Sequence, residues 1–352
     1  MRSIAWAVLG LVTGSSVKAL TPDGTIHPTK VILESLLQLY AVIDSSQILR
    51  GGNITVLTND SNVSELIWLR TDDSSLLYIN RTNADIRGGI ELWLSNTASF
   101  EKSRYKTASL PGLFSGLKTA ITERGDIKFL VYGQSYRNGT AYNKELAATP
   151  LSTAHIYDNI FVRDWDTWFT TTFNAVFSGT LKKEEGAGPN LRYSLDAPLR
   201  NLVAGMKDLE SPSPPFGDSS DYDLSANGIW VAFKSKAPEL PRAHHPASYI
   251  YIVPHDASME PELINGPDSP LTRHGITIDS NSPSFSPDSR HIAYFQIESI
   301  SYKSDRRVLY VYTIHSKEIF PAVAHDWDRS QGSVKWTVDG KNLIVHACYE
   351  IV

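Results

Sequence analysis

Residues 285–295 read FSPDSRHIAYF, and two other stretches share the frame: LSANGIWVAF at 224–233 and WTVDGKNLIV at 336–345. Each has an apolar residue, then Asp or Asn three positions on, then a run rich in β-branched and aromatic residues. Polar turn residues between such runs are a hairpin signal, because they supply the left-handed backbone where two strands reverse. WLRTDDSSLLYI at 68–79 fits with one inserted residue, and ITERGDIKFLVY at 121–132 is a weaker copy. The anchors Trp68, Ile121, Leu224, Phe285 and Trp336 are 53, 103, 61 and 51 residues apart. This predicts a period of about fifty residues, with a degenerate copy near Thr172 in FTTTFNAVFSG.

Further strand pairs follow the hairpins, in IELWLSNTASF at 90–100, SYIYIVPHDASMEPELI at 248–264 and RRVLYVYTIHSKEIFP at 306–321. Two hairpins per repeat make a four-stranded sheet, which cannot bury both faces alone. The expectation is therefore an all-β chain, an incomplete β-propeller of four-stranded blades; a β-sandwich with accidental internal similarity is the alternative. The Pro-rich stretches SPSPPFGDSS at 211–220 and KAPELPRAHHP at 236–246 read as loops between strands. TKVILESLLQLYAVIDSSQIL at 29–49 reads as an amphipathic helix in an otherwise β-rich chain.

The 352 residues, 41% hydrophobic and 20% charged, are enough for a substantial core. A net charge of -5 without long basic runs lacks the footprint of a nucleic-acid binder, so none is expected as a partner. Arg2, the apolar run IAWAVLGLV at 4–12 and the small-x-small sequence ending in Ala19 read as a signal peptide over residues 1–19. The run is about half of the ~20 apolar residues that a spanning helix needs. The expected location is extracellular, with no membrane association after cleavage. Asn53, Asn59, Asn62, Asn80 and Asn138 each open an Asn-x-Ser/Thr acceptor, consistent with passage through a secretory route. Cys348 is the single cysteine, so no disulfide forms within the chain.

For chemistry, no HExxH, no CxxC and no Gly-rich phosphate loop is present, and the ten histidines are scattered. Neither a cofactor nor a metal site is expected. Gly133-Gln134-Ser135-Tyr136-Arg137 approaches a G-x-S-x-G elbow, but turn residues and a glycosylation acceptor follow where the elbow needs a helix. Catalytic residues are expected nowhere in this chain. FVRDWDTWFTTTF at 161–173 places Arg163, Asp164 and Asp166 in one β-rich stretch, and strand alternation would put both carboxylates on one face. They are candidates for a contact, although an exposed acidic strand edge is the simpler reading.

Longer phrases carry a resemblance: ITVLTNDSNVSELIWL at 54–69, YINRTNADIRGGIELW at 78–93, TTTFNAVFSGTLKK at 170–183 and DWDRSQGSVKWTVDGKNLIV at 326–345. Over residues 1–22 and 53–345 the chain resembles the fungal secreted dipeptidyl-peptidase V sequences of the prolyl oligopeptidase family. That resemblance implies an N-terminal propeller over a C-terminal α/β-hydrolase domain with a Ser-Asp-His triad, an enzyme cutting dipeptides from peptide N-termini, and a propeller that restricts access. Within the atypical segment 20–52 the chain departs from the pattern between Pro22 and about Asn53, and HACYEIV at 346–352 departs as well. No position matches a triad residue, so the expectation is the propeller portion alone, without the hydrolase domain and inactive by itself. The competing expectation is a secreted propeller serving as a non-catalytic binding module.

Overall fold

The computed structural model describes residues 53–69, 74–149, 162–184, 192–267, 278–297, 306–322 and 330–347, apart from 207 and 243. It adds positions 152, 154 and 157 and the strands Val17–Leu20, Ile26–Thr29 and Gln47–Arg50. Among these residues helix is confined to the short turns Thr97–Ser99, Phe100–Ser103 and Ser219–Asp221, and the chain is nearly all β.

Four antiparallel sheets follow in chain order. The first holds Val63–Trp68, Ser75–Asn80, Ile90–Asn96 and Tyr105–Leu110. The second holds Ser115–Ile121, Ile127–Tyr136 and Thr172–Lys183, with Tyr193–Leu195 and Arg200–Asn201 both pairing the last of these. Tyr222–Leu224, Trp230–Lys236, Ser248–Pro254 and Glu262–Leu263 form the third. Asp279–Phe285, His291–Ile297, Arg307–Thr313 and Glu318–Pro321 form the fourth, joined to the third by one parallel pairing of Ser248 with Asp279. The hairpin Gln331–Trp336 and Leu343–Ala347 comes last.

All five repeat anchors lie at the end of the leading strand of a sheet or hairpin: Trp68, Ile121, Leu224, Phe285 and Trp336. The turn after three of them is the same object. Asn227, Asp288 and Asp339 each accept, through Oδ1, the backbone N–H two residues on, at 3.0, 3.1 and 3.1 Å. The same Oδ1 accepts the hydroxyl two residues back, from Ser225, Ser286 and Thr337. Gly228, Ser289 and Gly340 take the left-handed position, at φ 70°, 61° and 70°.

Two expectations are corrected, and a third falls mostly outside the described residues. Thr172 begins no new repeat: Thr172–Lys183 pairs along its length with Ile127–Tyr136, from Tyr136↔Thr172 to Ile127↔Leu181. The 103-residue spacing is therefore one sheet with a long insertion between its second and third long strands. Residues 90–100 hold one strand, not a pair; the chain makes a helical turn, capped by the Asn96 side chain, before returning at Tyr105–Leu110. The helix read at 29–49 begins and ends in strand, at Ile26–Thr29 and Gln47–Arg50, and residues 30–46 lie outside the described residues. Residues 1–16 of the signal segment and Cys348 also lie outside them.

Successive sheets share buried apolar faces. One cluster runs through the first three sheets, including Leu92, Phe129, Phe177, Phe233 and Tyr251. A second joins the third to the fourth through Ile250, Ile292 and Tyr294, and a third seats Trp336 and Val345 of the hairpin on Phe295 and Leu309. Polar links join the leading strands in the same order. Leu117 N donates to Glu65 Oε2 at 2.8 Å, and Lys118 Nζ donates to Tyr222 O at 2.5 Å and Asp223 Oδ1 at 3.2 Å. Phe285 N donates to Asp223 Oδ2 at 2.8 Å, and Trp336 Nε1 to Ser284 O at 3.0 Å. Asp223 thus ties the second, third and fourth sheets.

His255 makes a further tie between the second and third sheets. Its ring Nε2 lies 3.3 Å from Phe129 O, and its own carbonyl accepts the Ser178 hydroxyl at 2.6 Å. Burial, reinforced by Lys128, lowers its pKa from the ordinary 6.5 to about 4. The folded protein therefore holds the neutral ring while the unfolded chain protonates from about pH 6.5 downward.

Two predictions follow from these ties. Replacing Asp223 by Ala strands the Phe285 N–H and loosens Lys118, and is expected to cost about 2–3 kcal/mol in urea unfolding. Stability is expected to be full above pH 6.5 and to fall by about 3 kcal/mol as pH drops to 4. His255→Gln should flatten that slope in urea midpoints measured across the range, even where it lowers stability at neutral pH.

Candidate functional site

An open cavity of about 480 Å3 lies where the leading strands of the first two sheets meet the loop before the third, lined by Glu65, Ser115, Tyr132, Asp218 and Ser219 among others. Glu65 reaches it by a strained route: the register of its strand shifts between Ser64 and Ile67, and its φ is 54°. Its carboxylate accepts Leu117 N at 2.8 Å and pairs with Arg81 at 3.2 Å. On the opposite wall Asp218 Oδ1 accepts Ser220 N at 2.7 Å; the bonds from Ser220 hold this carboxyl below its usual pKa, so it is ionised. Burial, then the charges of Glu65 and Asp218, push the Tyr132 hydroxyl up, so it stays a neutral donor. Tyr222 packs edge-on against the Tyr132 ring at 6.2 Å and donates its hydroxyl to Gly116 O.

The loop at 211–221 that carries Asp218 is closed on itself. Gly217 N donates to Ser213 O at 2.8 Å, and Ser213 N to the buried Asp221 Oδ2 at 2.8 Å. Burial pushes the Asp221 carboxyl up, with Lys234 at 3.9 Å opposing. At its base, Glu210 accepts Asn174 N at 2.8 Å and pairs with Arg242, whose guanidinium lies 5.9 Å from the Phe169 ring. At its tip Phe216 is 66% exposed, its ring 4.9 Å from that of Trp165, also 66% exposed.

Trp165 brings the loop together with the stretch singled out in the sequence. Arg163–Asp164 and Thr167–Trp168 form a tight hairpin with Trp165 and Asp166 as its turn, Trp165 at φ 52°. Asp164 and Asp166 therefore do not share one strand face, because the strand reverses between them. Arg163 lies over the Trp168 ring at 5.9 Å, and the exposed side chains of this hairpin are Arg163, Trp165, Asp166, Thr167 and Trp168.

Ser135 is fully buried in Ile127–Tyr136. Its hydroxyl bonds to the carbonyls of Tyr136 and Thr140 at 2.8 and 3.2 Å and accepts from Asn201 Nδ2 at 2.9 Å. None of these partners is a base, so Ser135 is a structural hydroxyl that closes the turn at 136–140. Among the acceptors, Asn59 and Asn138 are exposed, while Asn62 and Asn80 are half-buried. Asn62 Nδ2 donates to Asp60 Oδ1 at 2.9 Å and Asn80 Oδ1 accepts the Thr82 hydroxyl at 3.1 Å. Asn53 lies in Asn53–Val56, and its side chain is outside the described residues.

The sequence missed Glu65, Tyr132, Asp218 and Phe216. Phe216 alone left a trace, a large aromatic inside a loop otherwise of Pro, Ser, Gly and Asp.

The molecule is thus of the class built from antiparallel sheets, each docked on the next, with an acidic cavity where the leading strands meet. No family model matches the chain. Dipeptidyl-peptidase 5 of Aspergillus fumigatus is 64% identical over 297 residues, covering 84% of this chain and 40% of that protein. A probable dipeptidyl-peptidase 5 of Aspergillus clavatus is 60% identical over 363 aligned residues, covering 98% of this chain and 49% of its own length. The chain belongs with the fungal dipeptidyl-peptidase 5 proteins, and it spans about half, or less, of the length of the relatives it matches. Among solved structures, a puromycin-hydrolyzing peptidase of Mycobacterium tuberculosis aligns at 14% identity and a TM-score of 0.44, over 85% of this chain and 39% of that one.

Gly217 tests whether the loop is held as described. A Cβ there would lie 2.4 Å from Ser213 N and O and 2.6 Å from Asp221 Oδ2, so the loop must open to accept it. Gly217→Ala is expected to cost about 1–3 kcal/mol in chemical denaturation and to change the fluorescence of the Trp165 region.

Proposed function

We propose that the sheets are successive blades of a β-propeller, and that this chain is the N-terminal propeller portion of an extracellular serine dipeptidyl-peptidase. Such an enzyme removes dipeptides from peptide N-termini by acyl transfer through a covalent acyl-enzyme, with an imidazole base and an oxyanion hole. In this reading the acylating serine belongs to the part of the longer relatives that this chain does not span, and the propeller restricts which chains reach it.

The observation that carries the reading is the order of the links between leading strands. Glu65 to Leu117, Lys118 to Asp223, Asp223 to Phe285 and Ser284 to Trp336 join each unit to its successor in chain order. Radial stacking of sheets around their leading strands asks for that order, whereas a sandwich would pair sheets face to face without it. Kinship with proteins named dipeptidyl-peptidase 5 supplies the reaction. The exposure of the acceptor residues Asn59 and Asn138 agrees with an extracellular place.

The 352-residue chain, expressed alone, is expected to show no labelling by a fluorophosphonate probe of serine hydrolases. Labelling that disappears in Ser135→Ala would overturn the assignment of the chemistry to another part of the protein.

A further inference from the structure

We propose that the Trp165–Phe216 ledge takes a large apolar side chain of an extended peptide whose free amino end lies against Asp218. The inference rests on the peptidase reading above and names the side chain that this face selects.

The ledge is built rather than incidental. Phe216 is held outward by a loop whose tip is closed through Gly217, Ser213 and Asp221, and Trp165 by its own left-handed backbone, φ 52°, in a two-residue turn. Two rings from different connections thus meet at 4.9 Å in fixed positions while each remains 66% exposed. Fixing aromatic rings before binding lowers the entropy lost when a ligand arrives.

The loop that carries one ring of the ledge also carries part of the cavity wall. Phe216 and Asp218 are two residues apart in one loop, and Asp218 and Ser219 line the cavity with Glu65 and Tyr132. Two residues of extended chain cover about 7 Å, which suits an amino group at one end and the next side chain at the other. Charge sets the direction. The Glu65 carboxylate is already matched by Arg81 and Leu117 N. Lys118 and Lys234, the cations nearest Asp218, are paired with Asp223 and Asp221. Of the two carboxylates that line the cavity, exposed Asp218 is the one left to receive an ammonium group. Asp166, exposed in the turn beside Trp165, accepts the Thr167 hydroxyl at 3.3 Å and is not part of the cavity lining, and Arg163 lies over Trp168.

The test uses the full 352-residue chain and C-terminally labelled Ala-Phe-Ala-Ala-Ala and Ala-Ala-Ala-Ala-Ala, followed by fluorescence anisotropy. The Phe peptide is expected to bind roughly fivefold more tightly than the all-Ala peptide. Trp165→Ala and Phe216→Ser, on separate connections, should each remove that difference while leaving thermal unfolding unchanged, and N-acetylation should weaken both peptides. Equal affinity for the two peptides, or a preference that survives both substitutions, overturns the ledge and leaves the peptidase reading standing. Undiminished binding of the acetylated peptides overturns the role of Asp218. Failure of every peptide to bind overturns the ledge together with the access-restricting role on which it rests.

Discussion

Everything in this molecule depends on how the leading strand of one sheet is fastened to the leading strand of the next. The fastenings are few and mostly charge-assisted, and Asp223 alone receives Lys118 from the sheet before and Phe285 N from the sheet after. Each such bond contributes about 1–3 kcal/mol net, little beside the apolar area buried between the sheets. Their value lies in direction. Apolar faces slide over one another at small cost, whereas a carboxylate oxygen 2.8 Å from a backbone N–H fixes the relative height of two strands. Bulges serve the same end: Glu65 at φ 54° and Ser282 at φ 54° both lie three residues before the anchor of their strand, in Trp68 and Phe285. A bulge bends the strand and re-aims one side chain, and at Glu65 the re-aimed carboxylate is the one that meets Leu117 N.

The repeat was legible because its turn is chemically demanding. Only a residue such as Asn or Asp can cap the N–H two positions on while accepting a hydroxyl from two positions back, so FSPD, LSAN and WTVD survive in the sequence. The Ser or Thr immediately after each anchor was the part of the signal left unread. It is as constrained as the carboxylate, since Trp230 N, His291 N and Asn342 N donate to the same hydroxyl oxygens at 2.8, 2.9 and 3.0 Å. Where the sequence misled, at Thr172, the cause is length. A 12-residue strand rich in Thr, Phe and Val looks alike whether it leads a sheet or lies inside one, and only its pairing with Ile127–Tyr136 decides.

The candidate site was hidden for the opposite reason. Glu65, Tyr132 and Asp218 come from two strands and a loop separated by more than sixty residues at each step, and nothing in their spacing marks them. Arg163, Asp164 and Asp166 stood out by composition, yet the chain reverses between the two aspartates, and the residue of this hairpin that meets the neighbouring loop is Trp165.

This division has a physical cause. Stacked sheets must keep their period to bury their faces, so the repeated hairpins have no freedom to acquire a binding surface. The insertion at 137–171 and the loop at 211–221 carry no share of the stacking period, and the loop supplies Asp218 and Ser219 to the cavity at the leading strands. Glu210 anchors that loop to Asn174 of the second sheet and, through its own N–H, to the Ser235 hydroxyl of the third, so the irregular segments borrow rigidity from the regular ones. Two exposed rings at fixed separation, beside an ionised carboxylate and a neutral phenol, are what such borrowing allows. The same rings on unanchored loops would collapse onto the nearest apolar surface, because burial of each is favourable by about 2 kcal/mol. Their exposure is therefore a property of the Ser213, Gly217 and Asp221 closure beneath them, and the selectivity of this face is set by backbone hydrogen bonds that never touch a ligand.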